Sequence, residues 1–305
     1  MQRQTILTGP GAAKFNGVVI HDASGITLNI DSATQDILSS VTGKLDTIKT
    51  DQRGTVTLTP AGVVTQDILD ALFPHQSPAI GSRLFGATDT TLVIHGTDGK
   101  KVTLFNAALT GVPDMLLSTI RTAFGEAEFT ALIADNKSPD AANAFYKVEA
   151  AAYDAGQPDP LGITGTPYNA TFGSLLLPDT TEGWTISTEL ETQPITTDNI
   201  GTVDILLTGV TVRASCTPLG KSVEQILAAL PVAKLRGAST RTNNDLVIAG
   251  QGGGLTVTLH NAALVTGPMQ WGSTALRIGQ IGFVAHRNAA GRLYTVAPVT
   301  PAPAT

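Results

Sequence analysis

The residue types that could do chemistry are few in this sequence and poorly spaced for it. Five histidines (His21, His75, His95, His260 and His286) are scattered so that no two fall at i, i+3 or i, i+4. Those are the separations that would put two imidazoles on one helix face around a metal ion. The single cysteine, Cys216, rules out an intramolecular disulfide and a cysteine-based metal site. Val212, Ala214 and Cys216 alternate with Arg213 and Ser215, which reads as a small apolar residue on the buried face of a strand. The acidic pairs Asp135/Asp140 and Glu189/Glu191 have the oxygens to hold a hard cation or to act as a carboxylate couple, but solvated loop charge is the better account. Gly9-Pro-Gly-Ala-Ala-Lys14 loosely suggests a phosphate-cradling loop; the Gly-Lys-Ser/Thr ending is missing and no strand is predicted before it. Gln251-Gly-Gly-Gly254 lacks the strand-to-helix setting of a dinucleotide fingerprint and reads as a hairpin turn. No Gly-x-Ser-x-Gly elbow is present. Asn169-Ala-Thr171 matches a glycosylation tripeptide, which carries no meaning without secretion. Asn106 and Asn261 recur in one repeated box and are read as asparagines at strand ends that bond nearby backbone in a turn. The expectation is a protein that is not an enzyme, with no catalytic, cofactor-binding or metal-binding residues and no cofactor.

Composition narrows the class. Charged residues make up only 14% of the chain and hydrophobic ones 42%, with Thr, Gly, Val and Ala abundant; that balance favours strands and turns over surface helices. A formal net charge of -6 argues against tight, sequence-independent binding of nucleic acid, which needs a basic surface. It is compatible with nucleic acid passing by without sticking. Met1-Gln-Arg-Gln-Thr-Ile-Leu7 lacks the apolar run of a signal peptide. No stretch approaches the roughly 18 apolar residues that cross a bilayer. The expectation is a soluble chain synthesised in a cytoplasm, with no membrane partner.

What must position these residues is a duplication. Pro60 and Gly62 match Pro218 and Gly220, and Ile68-Leu69-Asp-Ala71-Leu72 matches Ile226-Leu227-Ala-Ala229-Leu230. Gly25, Gly43 and Asp46 match Gly183, Gly201 and Asp204 at the same separation. Further on, Val102-Thr-Leu-Phe-Asn106-Ala-Ala-Leu109 matches Val257-Thr-Leu-His-Asn261-Ala-Ala-Leu264 at a slightly shorter one. Tyr146 and Val148 match Tyr294 and Val296. Matches in one order with a slowly drifting separation imply two diverged copies. The domain reading is therefore 1-153 for the first copy, a Pro- and Gly-rich linker over 154-164, 165-297 for the second, and a Pro-rich C-terminal tail over 298-305.

Each copy carries one predicted helix. In the second, Ser222-Val-Glu-Gln225 has capping-box spacing, Val223, Ile226, Leu227 and Leu230 form a stripe, and Pro231 ends it. In the first, Thr65 caps, Ile68, Leu69 and Leu72 carry the stripe, and Pro74 stops it. Alternation predicts strands over Thr55-Thr59, Thr90-Ile94 and Leu255-Leu259, with a hairpin turn at Asp98-Gly99. The stretch Asp114-Phe124 could pass as a helix. Its counterpart Pro268-Gly279 has two interior glycines, so both are read as extended and kinked. The fold class expected is mainly β: two tandem homologous β-sandwich or barrel domains of seven or eight strands, each with one flanking α-helix.

Val102-Thr-Leu-Phe-Asn-Ala-Ala-Leu-Thr-Gly-Val-Pro-Asp114, continuing through Phe124-Gly-Glu-Ala-Glu-Phe-Thr-Ala-Leu132, resembles the tail tube proteins of long-tailed (siphophage-like) bacteriophages. A variable acidic loop, Asp135 to Asp140, and a closing strand, Ala144-Val148, follow as in that family. The likeness covers most of both copies and is weaker in the second, where Trp271 and Gly272 replace the Leu-Ser part. The resemblance implies a structural subunit in the virion tail whose sheets join into a ring, with rings stacking into a conduit for DNA ejection. With two fused tube domains, a homotrimer would make a pseudo-hexameric ring. It also implies as partners the protein itself, the tape-measure protein, and the tail terminator and distal tail proteins, with DNA passing transiently through the lumen. The segments 31-46 and 189-204 are long for loops inside a domain and are expected to form extended hairpins or loops that contact the next ring. The alternatives are a single-ring component, such as a distal tail or baseplate protein, and a receptor- or carbohydrate-binding β-sandwich. The latter is disfavoured because aromatics are only 5% and Trp184 and Trp271 lie far apart in sequence.

Overall fold

A computed structural model describes residues 2-9, 11-61, 65-85, 90-133, 145-153, 166-197, 201-219, 242-251, 254-266, 269-271 and 276-299. The chain is mainly β, arranged in several antiparallel sheets. Up to residue 150 the elements run β1 (Gln2–Gly9), β2 (Gly11–Phe15), β3 (Val18–Asp22), β4 (Ile26–Ser39), β5 (Gly43–Leu58), β6 (Pro60–Ala61), α1 (Gln66–Leu72), β7 (Thr91–Gly96), β8 (Lys100–Phe105), β9 (Ala107–Gly111), β10 (Met115–Leu117), β11 (Thr122–Phe124), β12 (Ala127–Leu132) and β13 (Tyr146–Ala150). Beyond it come β14 (Tyr168–Phe172), β15 (Leu175–Leu176), β16 (Thr180–Thr197), β17 (Gly201–Pro218), β18 (Leu246–Gly250), β19 (Leu255–Leu259), β20 (Ala263–Thr266), β21 (Met269–Trp271), β22 (Leu276–Ile278), β23 (Ile281–Val284) and β24 (Tyr294–Pro298). Among the described residues the strands are more numerous than the seven or eight per copy expected; the left-handed Asn16, Asn106 and Asn261 stand between β2 and β3, β8 and β9, and β19 and β20.

Sheet orders correspond between the two halves of the sequence. The order β4-β5-β12-β9 answers to β16-β17-β23-β20, and β13-β8-β7-β2-β3 to β24-β19-β18-β14-β15. Irregularities correspond as well. The β4–β5 hairpin has bulges between Ala33/Thr34 and Ile37/Leu38, and β16–β17 has them between Glu191/Thr192 and Ile195/Thr196, at the separation that relates Gly25 to Gly183. Bulges insert an unpaired residue and bend the strand, so their matched positions give both hairpins the same twist. The segments expected as extended hairpins or loops are these two.

Alternation puts one face of each strand inside. Ile26, Leu28, Val56, Leu58 and Phe129 from one sheet meet Ile20, Leu92, Ile94 and Leu104 from another in a continuous apolar core, with the Phe15 and Phe129 rings 5.0 Å apart. In the second half Phe172, Trp184 and Phe283 play this part, with Phe283 5.4 Å from Phe172 and 6.1 Å from Trp184. The first predicted helix is in place: the Thr65 hydroxyl accepts from Ile68 N at 3.4 Å, and Leu69 and Leu72 are fully buried. The second, Ser222 to Pro231, lies outside the described residues, as does the 154-164 linker. The Asp114-Phe124 stretch is extended and kinked, as β10 and β11, with short β21 and β22 as its counterparts. β24 extends one residue into the Pro-rich tail, Pro298 pairing with Leu255. One expectation is corrected: a strand, β1, does precede Gly9-Pro-Gly-Ala-Ala-Lys14. That segment runs on into β2 and not into a helix, so no helix N-terminus is available there for phosphate.

Candidate assembly surface

The residues singled out for chemistry are kept apart by the fold. Among the described residues, no group of three or more His, Cys, Asp and Glu is arranged to hold a metal ion. His21 and His75 have pKa values lowered by burial. His260 Nδ1 lies 3.0 Å from Asp245 Oδ2, and the backbone N of His286 donates to the carbonyl of His260. Cys216 is buried beside Val212 and Ala214, and burial pushes its thiol up to about 12, which leaves it protonated and inert. Glu189 and Glu191 are exposed on β16; Asp135 and Asp140 lie outside the described residues. Asn169 is exposed and its side chain accepts from Gln251 Nε2 at 2.6 Å.

Asn106 and Asn261 have structural duties of one kind. Both adopt left-handed backbone, φ 52 and 44, where asparagine is tolerated better than most residues. Asn106 Nδ2 donates to Leu132 O at 3.4 Å, and Asn261 Nδ2 to Arg287 O at 2.7 Å. Each ties a strand end to backbone 26 residues ahead in sequence, farther than the local turn that the sequence implied.

The surface with most to offer lies where the two halves meet. β10, from the first half, adds to the edge of β16, with Met115 opposite Ile186, Leu116 opposite Thr185 and Leu117 opposite Trp184. Gly183 makes this approach possible: its φ is +91, and a Cβ there would sit 2.2 Å from the Leu117 carbonyl oxygen. The segment 79-85 then runs along β17. Gly81 N donates to Leu207 O, Leu207 N to Ser82 O and Leu84 N to Ile205 O, at 2.8, 2.9 and 2.8 Å. Asp204, buried, accepts from Phe85 N at 3.3 Å and pairs with Arg83 Nε at 3.7 Å. Beneath, Phe85, Ala108 and Leu132 close a small apolar cluster with Leu84 and Ile205. Asp51 accepts from Thr202 N and Oγ1 at 3.3 and 3.2 Å. On the other layer, Gln76 O receives Leu293 N at 2.8 Å and Pro78 O receives Arg287 Nη2 at 2.9 Å.

The counterpart of the β17 flank is bare among the described residues. Residues 43-50, the counterparts of 201-208, are all exposed. At the tip of β4–β5, Leu38, Val41 and Leu45 are 71%, 88% and 61% exposed, a run of apolar side chains on a two-stranded arm. Sequence reasoning marked both arms as hairpins or loops but missed 79-85 and β10 as the parts that join the halves. The matched pair Asp46 and Asp204 was no signal for them, because each aspartate accepts from the amide that follows it, Thr47 N and Ile205 N, at 2.7 Å. No family model matches this chain, and no curated protein sequence matches it.

Proposed function

We propose that this chain is a structural subunit of a phage tail tube, built from two equivalent β-sandwich domains, each with a flanking helix. The observation that carries the reading is the asymmetry of the contact between the halves. The first half contributes β10 and 79-85; the second contributes the flank of β16–β17. These are different surfaces, so the contact is heterologous; among the described residues, 43-50 of β5 stay exposed and β21–β22 pairs only with itself. Repeating one heterologous contact from chain to chain closes a ring or grows an open helix. Three chains of two domains make the six wedges of a pseudo-hexameric ring. The exposed apolar arm at Leu38 and Val41 suits contact with the next ring, which favours a stacked tube over a component that forms one ring and stops. The burial of Trp184 weighs against a sugar-binding platform.

In the virion such a tube would surround the tape-measure protein, end on terminator and distal tail proteins, and conduct DNA without holding it. A chain with net charge -6 repels phosphate over the Debye length, about 8 Å at physiological salt, and so suits that passage. Negative-stain electron microscopy of the purified protein tests the proposal. Tubes with a central bore are expected. Single rings would point to a baseplate or distal tail role, and monomers at all concentrations would end the assembly reading.

A further inference from the structure

The edge of β4 that corresponds to the docking edge of β16 is already occupied, by the N-terminal strand. Leu7, Thr8 and Gly9 of β1 lie opposite Leu28, Thr27 and Ile26. Those three residues are the counterparts of Ile186, Thr185 and Trp184, which β10 covers in the other half. The strand equivalent to β10 is β21, and β21 with β22 forms a two-stranded sheet of its own, Met269 opposite Ile278 and Trp271 opposite Leu276. An isolated two-stranded hairpin is marginal alone and gains by joining a larger sheet. Thus one half has an edge with its partner strand in place, and the other has the same edge under a different strand, while the matching hairpin joins no larger sheet among the described residues.

We propose that β1 is a placeholder, and that assembly exchanges it for the β21–β22 hairpin of a second copy of this chain, docked on Ile26, Thr27 and Leu28 of β4. The inference rests on the assembly reading above and adds to it the site of ring closure and the reason a free monomer does not close at once. Two features fit β1 to a temporary role. Its outer residues Gln2, Arg3, Gln4 and Thr5 are polar or basic, and its register shifts between Thr5 and Leu7. Polar, charged and bulged edges discourage further strand addition, so β1 shields β4 from promiscuous pairing until the correct strand arrives. The receiving edge is also prepared: Gly25, at φ +110, stands where Gly183 stands beside β10. In the exchange, backbone hydrogen bonds are swapped for backbone hydrogen bonds. The sign is therefore set by the extra contacts a whole neighbour brings along the flank of β5, as 79-85 brings to β17.

Two double-cysteine variants of the full chain test this, in a background whose single native cysteine is buried. Thr8→Cys with Thr27→Cys joins residues that face each other across β1 and β4. Oxidised, this variant should stay monomeric; reduced, it should assemble as the unmodified chain does, which also shows that it folds. Thr27→Cys with Gln270→Cys should form an interchain disulfide in assembled material only, read as a ladder of covalent multimers on a non-reducing gel. If the oxidised Thr8–Thr27 variant assembles normally and the Thr27–Gln270 pair does not cross-link while tubes form, the placeholder idea is wrong and the tube reading stands. If neither the unmodified chain nor a variant lacking residues 2 to 9 assembles under any condition, the tube reading fails first.

Discussion

The β4–β5 and β16–β17 hairpins share register and two bulge positions, yet the far part of one is bare where the other is clothed. Both Asp204 and its counterpart Asp46 accept from the next amide in the chain at 2.7 Å, but Asp204 is buried and also takes Phe85 N and Arg83, whereas Asp46 is exposed. Gly201 lies against Thr50 and Asp51, whereas Gly43 has nothing within 4 Å of the position a Cβ would take. The difference is therefore not in the hairpins but in what lies beside them. In the proposed tube, the second half supplies this neighbour within the chain, and the bare hairpin is the side on which a separate chain would supply it.

The comparison can be broken most decisively at the bare arm. Replacing Leu38 and Val41 together with Asp should leave the monomer melting temperature unchanged, because exposed substitutions fall within about 0.5 kcal/mol, but should abolish tubes in electron micrographs. Tubes of normal length from that variant would remove the arm from ring stacking. Next in size is the paired test of the two turn glycines. Gly43→Ala should cost about 1–2 kcal/mol, the penalty of left-handed backbone alone. Gly201→Ala should cost about 3 kcal/mol or more, since its Cβ would also fall 2.6 Å from the Thr50 carbonyl oxygen and overpacking adds to the strain. Equal losses in denaturant melts would mean that the two hairpins are equally free in solution.

A smaller contrast is expected at the matched aspartates. Asp204→Ala removes the acceptor for Phe85 N and the partner of Arg83, whose side chain is 67% exposed and contributes little. The cost should be about 1–2 kcal/mol, against no more than about 0.5 for Asp46→Ala in the monomer. In assembled material the gap should narrow, as Asp46 gains cover. Smallest is a pH effect at the seam. Burial first, and the Glu189 charge second, raise the Asp114 carboxyl above its ordinary 3.8. The folded chain then holds that proton more tightly than the unfolded one. The associated stability is complete below pH 3.8 and is lost as pH rises through the folded value. Asp114→Asn should accordingly raise the melting temperature slightly at pH 7 and leave it unchanged at pH 3. In the second half Pro268 occupies this place, so a seam between chains would carry no such penalty.

The sequence by itself determined the mainly β character, the presence of α1 and its cap at Thr65, and the burial of Cys216. Each is a local matter of alternation, capping or turn chemistry, and such signals are written in contiguous residues. The kink at 114-124 was reached through the glycines of the matching segment, since its own residues pass equally well as a helix. What only the tertiary structure decided is which edge each strand occupies. That β10 lies on β16, that 79-85 lies along β17 and that β1 lies on β4 follow from no local pattern. An edge strand offers the same row of backbone donors and acceptors to any strand of compatible register. The choice among them is made by the packing of whole halves against each other.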